Sequence, residues 1–197
     1  IRVVYDGAPE SGKTTNVRQL GSLVSLRRRG AASTPGSGGA RTEFFDWLDF
    51  SGGFVEGHKL RCQLISVPGQ CELLHRRRYL LESADAIVFV VDACAELEAS
   101  AQSFAVTRKL VERAGAHAPV ALIVQANKQD LPGARSPAQI GAALALPATC
   151  SVMGSAAASG QGVMETFVLA VRLAGDRVRE LMLSQQLTPS GPSEDDP

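Results

Sequence analysis

Short apolar runs recur at 1–5, 60–67, 86–91 and 120–125, and each leads into a turn containing Gly, Asp, Asn or Pro. Between them lie longer stretches in which apolar residues return at helical spacing. Strand-sized apolar runs bounded by turn residues fit a sheet buried on both faces, and the longer amphipathic stretches fit the helices that cover it. The pattern predicts strands near 1–5, 44–50, 60–67, 86–91, 120–125 and 149–152, and helices near 13–29, 72–82, 95–114, 137–144 and 163–183. This alternation gives an α/β, doubly wound sheet of about six strands flanked by helices, with ligands expected at the C-terminal ends of the strands.

Composition narrows the organisation. At 197 residues, with 45% hydrophobic and 20% charged positions, the chain suits one globular domain, expected over 1–183. From Ser184 the sequence turns polar and Pro-containing and ends acidic, so 184–197 reads as a disordered tail or linker. Ala32 to Gly39 is a Gly/Ser-rich loop, and no internal repeat is visible. The formal net charge is +0, which gives no argument for nucleic acid or an anionic membrane. Arg27-Arg28-Arg29 reads as a basic helix end that complements the dipole, whereas for Arg76-Arg77-Arg78 a partner contact and a solvated face stay equally open. The apolar runs fall far short of the roughly 20 residues that cross a bilayer, and no signal peptide or C-terminal lipidation Cys is present. Cys62, Cys71, Cys94 and Cys150 are scattered and the histidines lack ligand spacing, so neither a zinc site nor a disulfide framework is indicated, as suits a reducing cytoplasm. The chain opens without Met just before its first motif, so residues are expected to precede Ile1.

That motif is Gly7-Ala8-Pro9-Glu10-Ser11-Gly12-Lys13-Thr14, which fits Gly-x-x-x-x-Gly-Lys-Thr between a strand and a helix. Its glycines let backbone N–H groups of Gly7, Glu10, Ser11, Gly12, Lys13, Thr14 and Thr15 turn around a polyphosphate, and the helix N-terminus adds its positive dipole. Lys13 is expected to bridge the β- and γ-phosphates as a catalytic cation, and the Thr14 hydroxyl to ligate Mg²⁺. The run 120–125 leads into Asn127-Lys128-Gln129-Asp130, an Asn-Lys-x-Asp pattern. A carboxylate at Asp130 accepts from guanine N1–H and the 2-amino group, a donor pair that adenine lacks. Asn127 is expected to tie this loop to the phosphate loop, and the Lys128 stem to lie along the base. Between the two motifs, Leu64 to Gln70 reads as a strand entering a Pro-Gly turn, where Gly69 N–H would meet the γ-phosphate and Gln70 would orient the attacking water.

With these residues, together with Arg41-Thr42 before Phe44-Phe45-Asp46 and Val88 to Asp92, the chain resembles the bacterial Ras-like small GTPases of the MglA type, P-loop NTPases that switch in gliding motility and cell polarity. The resemblance spans roughly residues 1 to 175. It implies a GTPase that cycles between GTP and GDP with Mg²⁺, Thr42 closing on the metal in the GTP state and Arg41 serving as an arginine finger in cis. It also places backbone N–H groups of Ala157 and Ala158 at guanine O6. A Roadblock-type activator and effectors specific for the GTP state are the implied partners. Two positions depart from the usual Ras pattern: Ser66 replaces an Asp that holds Mg²⁺ through water, for which Asp46 is the expected substitute, and Pro9 replaces a Gly. Proline removes one N–H donor and crowds an arginine arriving from a partner. Three alternatives stay open: a relation to the signal-recognition-particle-receptor β or Arf group, a P-loop kinase, and a nucleotide-locked scaffold without useful turnover.

Overall fold

A computed structural model describes residues 1–28, 47–67, 74–114, 119–147 and 150–184. Six strands, β1 (Arg2–Asp6), β2 (Trp47–Val55), β3 (His58–Ser66), β4 (Ala86–Asp92), β5 (Ala121–Asn127) and β6 (Ser151–Gly154), alternate with five helices, α1 (Lys13–Arg28), α2 (Leu74–Glu82), α3 (Glu98–Ala114), α4 (Pro137–Ala143) and α5 (Val163–Leu183). They form one sheet in the order β2-β3-β1-β4-β5-β6, with β2 antiparallel to β3 and every other pair parallel. The parallel strands therefore end along one edge, and the first glycine loop and the Asn-Lys-x-Asp loop both leave from it.

Alternation along each strand sends successive residues to opposite faces. Val3, Tyr5, Leu64, Val88 and Val90 pack with Val17 and Leu20 of α1 and with Phe167, Ala170 and Ala174 of α5. Val4, Ile65 and Ile87 pack on the other face with Leu80 and Leu81 of α2 and Val111 of α3. Phe89, Val91 and Val124 continue that face toward Phe104 and Ile140. β4 is buried over nearly its whole length, which is why its sequence reads as an unbroken apolar run.

The β2–β3 region departs from the expected strands, which stopped at residue 50 and resumed at 60. The pairing continues to Val55–His58, with a register shift between Ser51 and Phe54 that absorbs Gly52-Gly53. Glu56 (φ 47°) and Gly57 (φ 81°) close the hairpin, two left-handed residues matching the strand twist. The third helix begins at Glu98 rather than 95, because Arg135 takes the carbonyls of Ala93 and Ala95 and holds that stretch open. At α4, Ser136 and Gln139 form a capping box with Pro137 in the first turn, which explains the sharp start there.

Truncating the centre of the sheet should be the most destabilising apolar change. Phe89 is fully buried and meets Phe104 edge to face at a centroid distance of 5.0 Å. Phe89→Ala is expected to lower unfolding stability by about 3–5 kcal/mol, whereas Val168→Ala, at an exposed site of α5, should stay within about 0.5 kcal/mol. Urea denaturation of both variants checks the contrast.

Candidate functional site

Between Asp6 and Lys13 the chain must reverse around a small space. Gly7 (φ 142°), Glu10 (φ 60°) and Gly12 (φ 100°) supply the backbone turns. Space enforces the glycines too: a Cβ at Gly7 would overlap the Val90 carbonyl of β4, and one at Gly12 would overlap the Asn127 side-chain amide. Lys13 is buried and donates to the carbonyls of Gly7 (3.0 Å) and Ala8 (2.7 Å). Burial pushes its ammonium down to about 8, with Asp6 opposing that shift and Arg77 adding to it. Thr14 is half-buried and Thr15 exposed on the first turn of α1, while Pro9 and Glu10 are exposed on the outer side of the loop. Ser11 is buried, its hydroxyl lacking a hydrogen-bond partner.

Asn127, at the end of β5, joins three loops. Its Nδ2 donates to the Ser11 carbonyl (2.8 Å), and its Oδ1 accepts from the Ser155 hydroxyl (3.1 Å) and the Ala157 N–H (3.0 Å). The expected tie between the base-reading and phosphate loops is thus present, and the same amide recruits the Ser155-Ala156-Ala157 turn. Lys128 follows in a left-handed conformation (φ 68°) and donates to Asp92 Oδ2 at 2.6 Å. Burial alone would raise the Asp92 carboxyl, but hydrogen bonds from Lys128 and from the Cys94 and Ala95 backbone hold it below its ordinary value. Gln129 N–H donates to the Ser155 carbonyl (3.0 Å), so the exposed Asp130 and Ala158 stand on loops fastened together.

Ser66 ends β3 opposite Tyr5, nearly fully buried, and offers a hydroxyl where a carboxylate was noted as missing. Within the basic triplet Arg77 is neither a partner contact nor a solvated cation. Its guanidinium forks onto Asp6, while Arg78 pairs with Glu82 one helical turn on. Neither Asp6 nor Asp92 is assigned a role from the sequence, where Asp92 enters only within Val88 to Asp92 and each shows itself only as an acidic residue at the C-terminal end of an apolar strand. Arg41, Thr42, Asp46, Gly69 and Gln70 lie outside the described residues, as do the loop 32–39 and the tail 185–197.

The residues present fit a bound polyphosphate: a glycine ring closed to any Cβ, a buried lysine turned into it, and a helix N-terminus behind it. They fit Mg²⁺ more narrowly. No group of three or more His, Cys, Asp or Glu could hold a metal ion among the described residues, but Mg²⁺ held by phosphates and water needs only one or two protein oxygens, and the hydroxyl of half-buried Thr14 is of the kind that would serve.

Such a sheet and loop set define the class, a P-loop nucleotide-binding switch. The model of the ADP-ribosylation factor (Arf) family matches residues 47–172. The chain is also 34% identical over 135 residues to the "Mutual gliding-motility protein MglA" of Myxococcus xanthus (strain DK1622), covering 68% of this chain and 69% of that protein. The chain belongs to the Arf/Ras-like small GTPases, of the MglA type: it binds guanine nucleotide and hydrolyses GTP. The family match begins at Trp47, so the phosphate loop rests on its own residues and geometry. Among the described residues no helix is long and apolar enough to cross a membrane.

Asn127→Ala would leave the Ser11 carbonyl and the Ala157 N–H without their partner. Loss of these buried bonds, about 2–4 kcal/mol together, should speed GDP release at least tenfold. A chase of fluorescent GDP measures it, and an unchanged release rate would mean that the three loops do not need this amide.

Proposed function

We propose that the chain is a molecular switch in which the phosphate loop and the 127–130 loop hold GTP or GDP between them, and that its nucleotide state selects partners in cell polarity or motility. The observation that carries this reading is the Asn127 amide, which brings the two loops into hydrogen-bonding contact across 116 residues of sequence. Backbone N–H groups of Gly7 and of Glu10 to Thr15 wrap the phosphates, and Lys13 leaves its two carbonyls to bridge the β- and γ-phosphates. Asp130 reads the guanine edge while the Lys128 stem, fixed at its tip by Asp92, lies along the ring. The Ala157 N–H already serves Asn127, so exposed Ala158 is the better placed of the pair for guanine O6.

Thr14 would hold Mg²⁺ in both states, Thr42 would join it only with GTP, and Asp46 would supply the outer-shell carboxylate that Ser66 cannot. When bound, the metal neutralises charge on the transferring phosphoryl group. Gly69 N–H senses the γ-phosphate, Gln70 orients water, and Arg41 offsets developing charge in cis. A Roadblock-type activator would set Arg41 and Gln70 against the γ-phosphate without inserting an arginine past Pro9. The role in motility follows the Myxococcus relative, a gliding-motility protein, and the role in polarity follows the MglA-type resemblance.

Calorimetry should show GTP and GDP binding at least about thirtyfold more tightly than ATP, since adenine leaves the Asp130 carboxylate desolvated without a donor. Asp130→Ala should erase the preference, and equal affinities in the unsubstituted protein would refute the guanine assignment.

Turnover tests the catalytic pair. Intrinsic hydrolysis is expected at roughly 10⁻⁴ to 10⁻² s⁻¹, and Arg41→Ala and Gln70→Leu should each suppress activator-stimulated turnover while leaving GTP affinity nearly intact. Full stimulated turnover in Arg41→Ala would place the arginine in the partner.

A further inference from the structure

Asp6 is almost wholly buried at the end of β1, one residue before the phosphate loop. Its carboxylate is fully engaged: Arg77 donates through Nε to Oδ1 (3.0 Å) and through Nη2 to Oδ2 (2.9 Å), and the Thr107 hydroxyl donates to Oδ2 (2.6 Å). Arg77 belongs to α2 and Thr107 to α3, and the same guanidinium also reaches the Ser103 hydroxyl (2.8 Å) and Thr107 Oγ1 (3.1 Å). A bidentate fork of this kind fixes orientation as well as charge. The two partners also act in opposite senses on the charge of Lys13, Asp6 favouring its ammonium and Arg77 disfavouring it.

We propose that Asp6 and Arg77 form a charge-coupled latch, through which the position of α2 sets the affinity of the phosphate loop for nucleotide. With Arg77 seated, the pair is neutral and the cradle presents only the charge of Lys13. When α2 lifts, the Asp6 carboxylate stays behind in a buried place without its cation. Its field then repels polyphosphate and draws on Lys13. The linkage is reciprocal, so nucleotide in the cradle holds α2 down. Both are positioning residues that act through the loop, and a partner that pulls α2 away would release nucleotide without entering the cradle. The inference rests on the reading of residues 7–14 as the phosphate site.

The test compares GDP and GTP affinities by fluorescent-nucleotide titration, with thermal melts in parallel, for the unsubstituted protein, Arg77→Gln, Asp6→Asn combined with Arg77→Gln, Thr107→Val and Lys13→Ala. Arg77→Gln should weaken both nucleotides about tenfold or more, with the loss shrinking as salt rises. Removing the stranded charge in the double variant should restore affinity to within about threefold, and Thr107→Val, which leaves Arg77 on the carboxylate, should stay within about threefold of the unsubstituted protein. A cooperatively folded Arg77→Gln protein with unchanged affinities overturns the latch, as does a double variant no better than the single. If Arg77→Gln alone does not fold, the double variant decides: near-native affinity supports a charge effect, and a tenfold loss refutes it. Failure of the unsubstituted protein to bind guanine nucleotide would instead overturn the phosphate-site reading. Loss of binding in Lys13→Ala beside an indifferent Arg77→Gln would leave that reading standing and remove the latch alone.

Discussion

The nucleotide edge depends on one buried side-chain amide. Asn127 carries a donor and an acceptor on the same terminal group, and the structure uses both, the donor for the Ser11 carbonyl and the acceptor for Ser155 and Ala157. An aspartate there could not donate, and a serine would be too short to reach both loops. The approach is close enough that Gly12 has no room for a Cβ. The separation of the phosphate loop from the base-reading loop is therefore fixed by protein contacts alone. Ligand binding then needs little loop ordering, and that preorganisation is what turns modest contacts into affinity.

Charge is arranged with equal economy. Lys13 is buried, donates to the carbonyls of Gly7 and Ala8, and has its pKa lowered by that burial. Phosphate oxygens are stronger partners for an ammonium than peptide carbonyls. Asp6 would spoil this arrangement were it a bare carboxylate, and Arg77 keeps it neutral in sum. A buried pair adds little to stability over an apolar alternative, while breaking one is strongly unfavourable. Such a contact is better understood as a specifier of geometry than as a source of stability.

The sheet, its helices and the two signature loops were legible in the sequence because each rests on local chemistry. An unbroken apolar run such as Ala86 to Val91 admits few readings, and Gly7 to Thr14 encodes its turn in its glycines. The β2–β3 hairpin was shortened because Gly52-Gly53 looks like a break when it is a bulge, and only the partner strand can make that distinction. The Asp6–Arg77 and Asp92–Lys128 pairs were invisible for a related reason. Each joins residues far apart in the chain, 71 and 36 positions respectively, and a charged residue at a strand end or on a helix looks solvated until the opposing element is in place. Arg77 and Arg78 show the difficulty well, since these neighbouring identical residues have unrelated fates.

The attachment of α2 shows how a rigid core and a responsive edge coexist. Its C-terminal half is held by Leu80 and Leu81 in the apolar layer beneath Ile65 and Ile87. One turn earlier, Arg77 is held by directional polar contacts to Asp6, Ser103 and Thr107. Apolar contacts are non-directional and tolerate small rotations, whereas a bidentate guanidinium fork is lost over a small displacement. The leucines therefore suit a pivot and the arginine a catch. A helix fastened in this way would let go at its polar end before its apolar one, which suits an element beside the phosphates of a nucleotide switch.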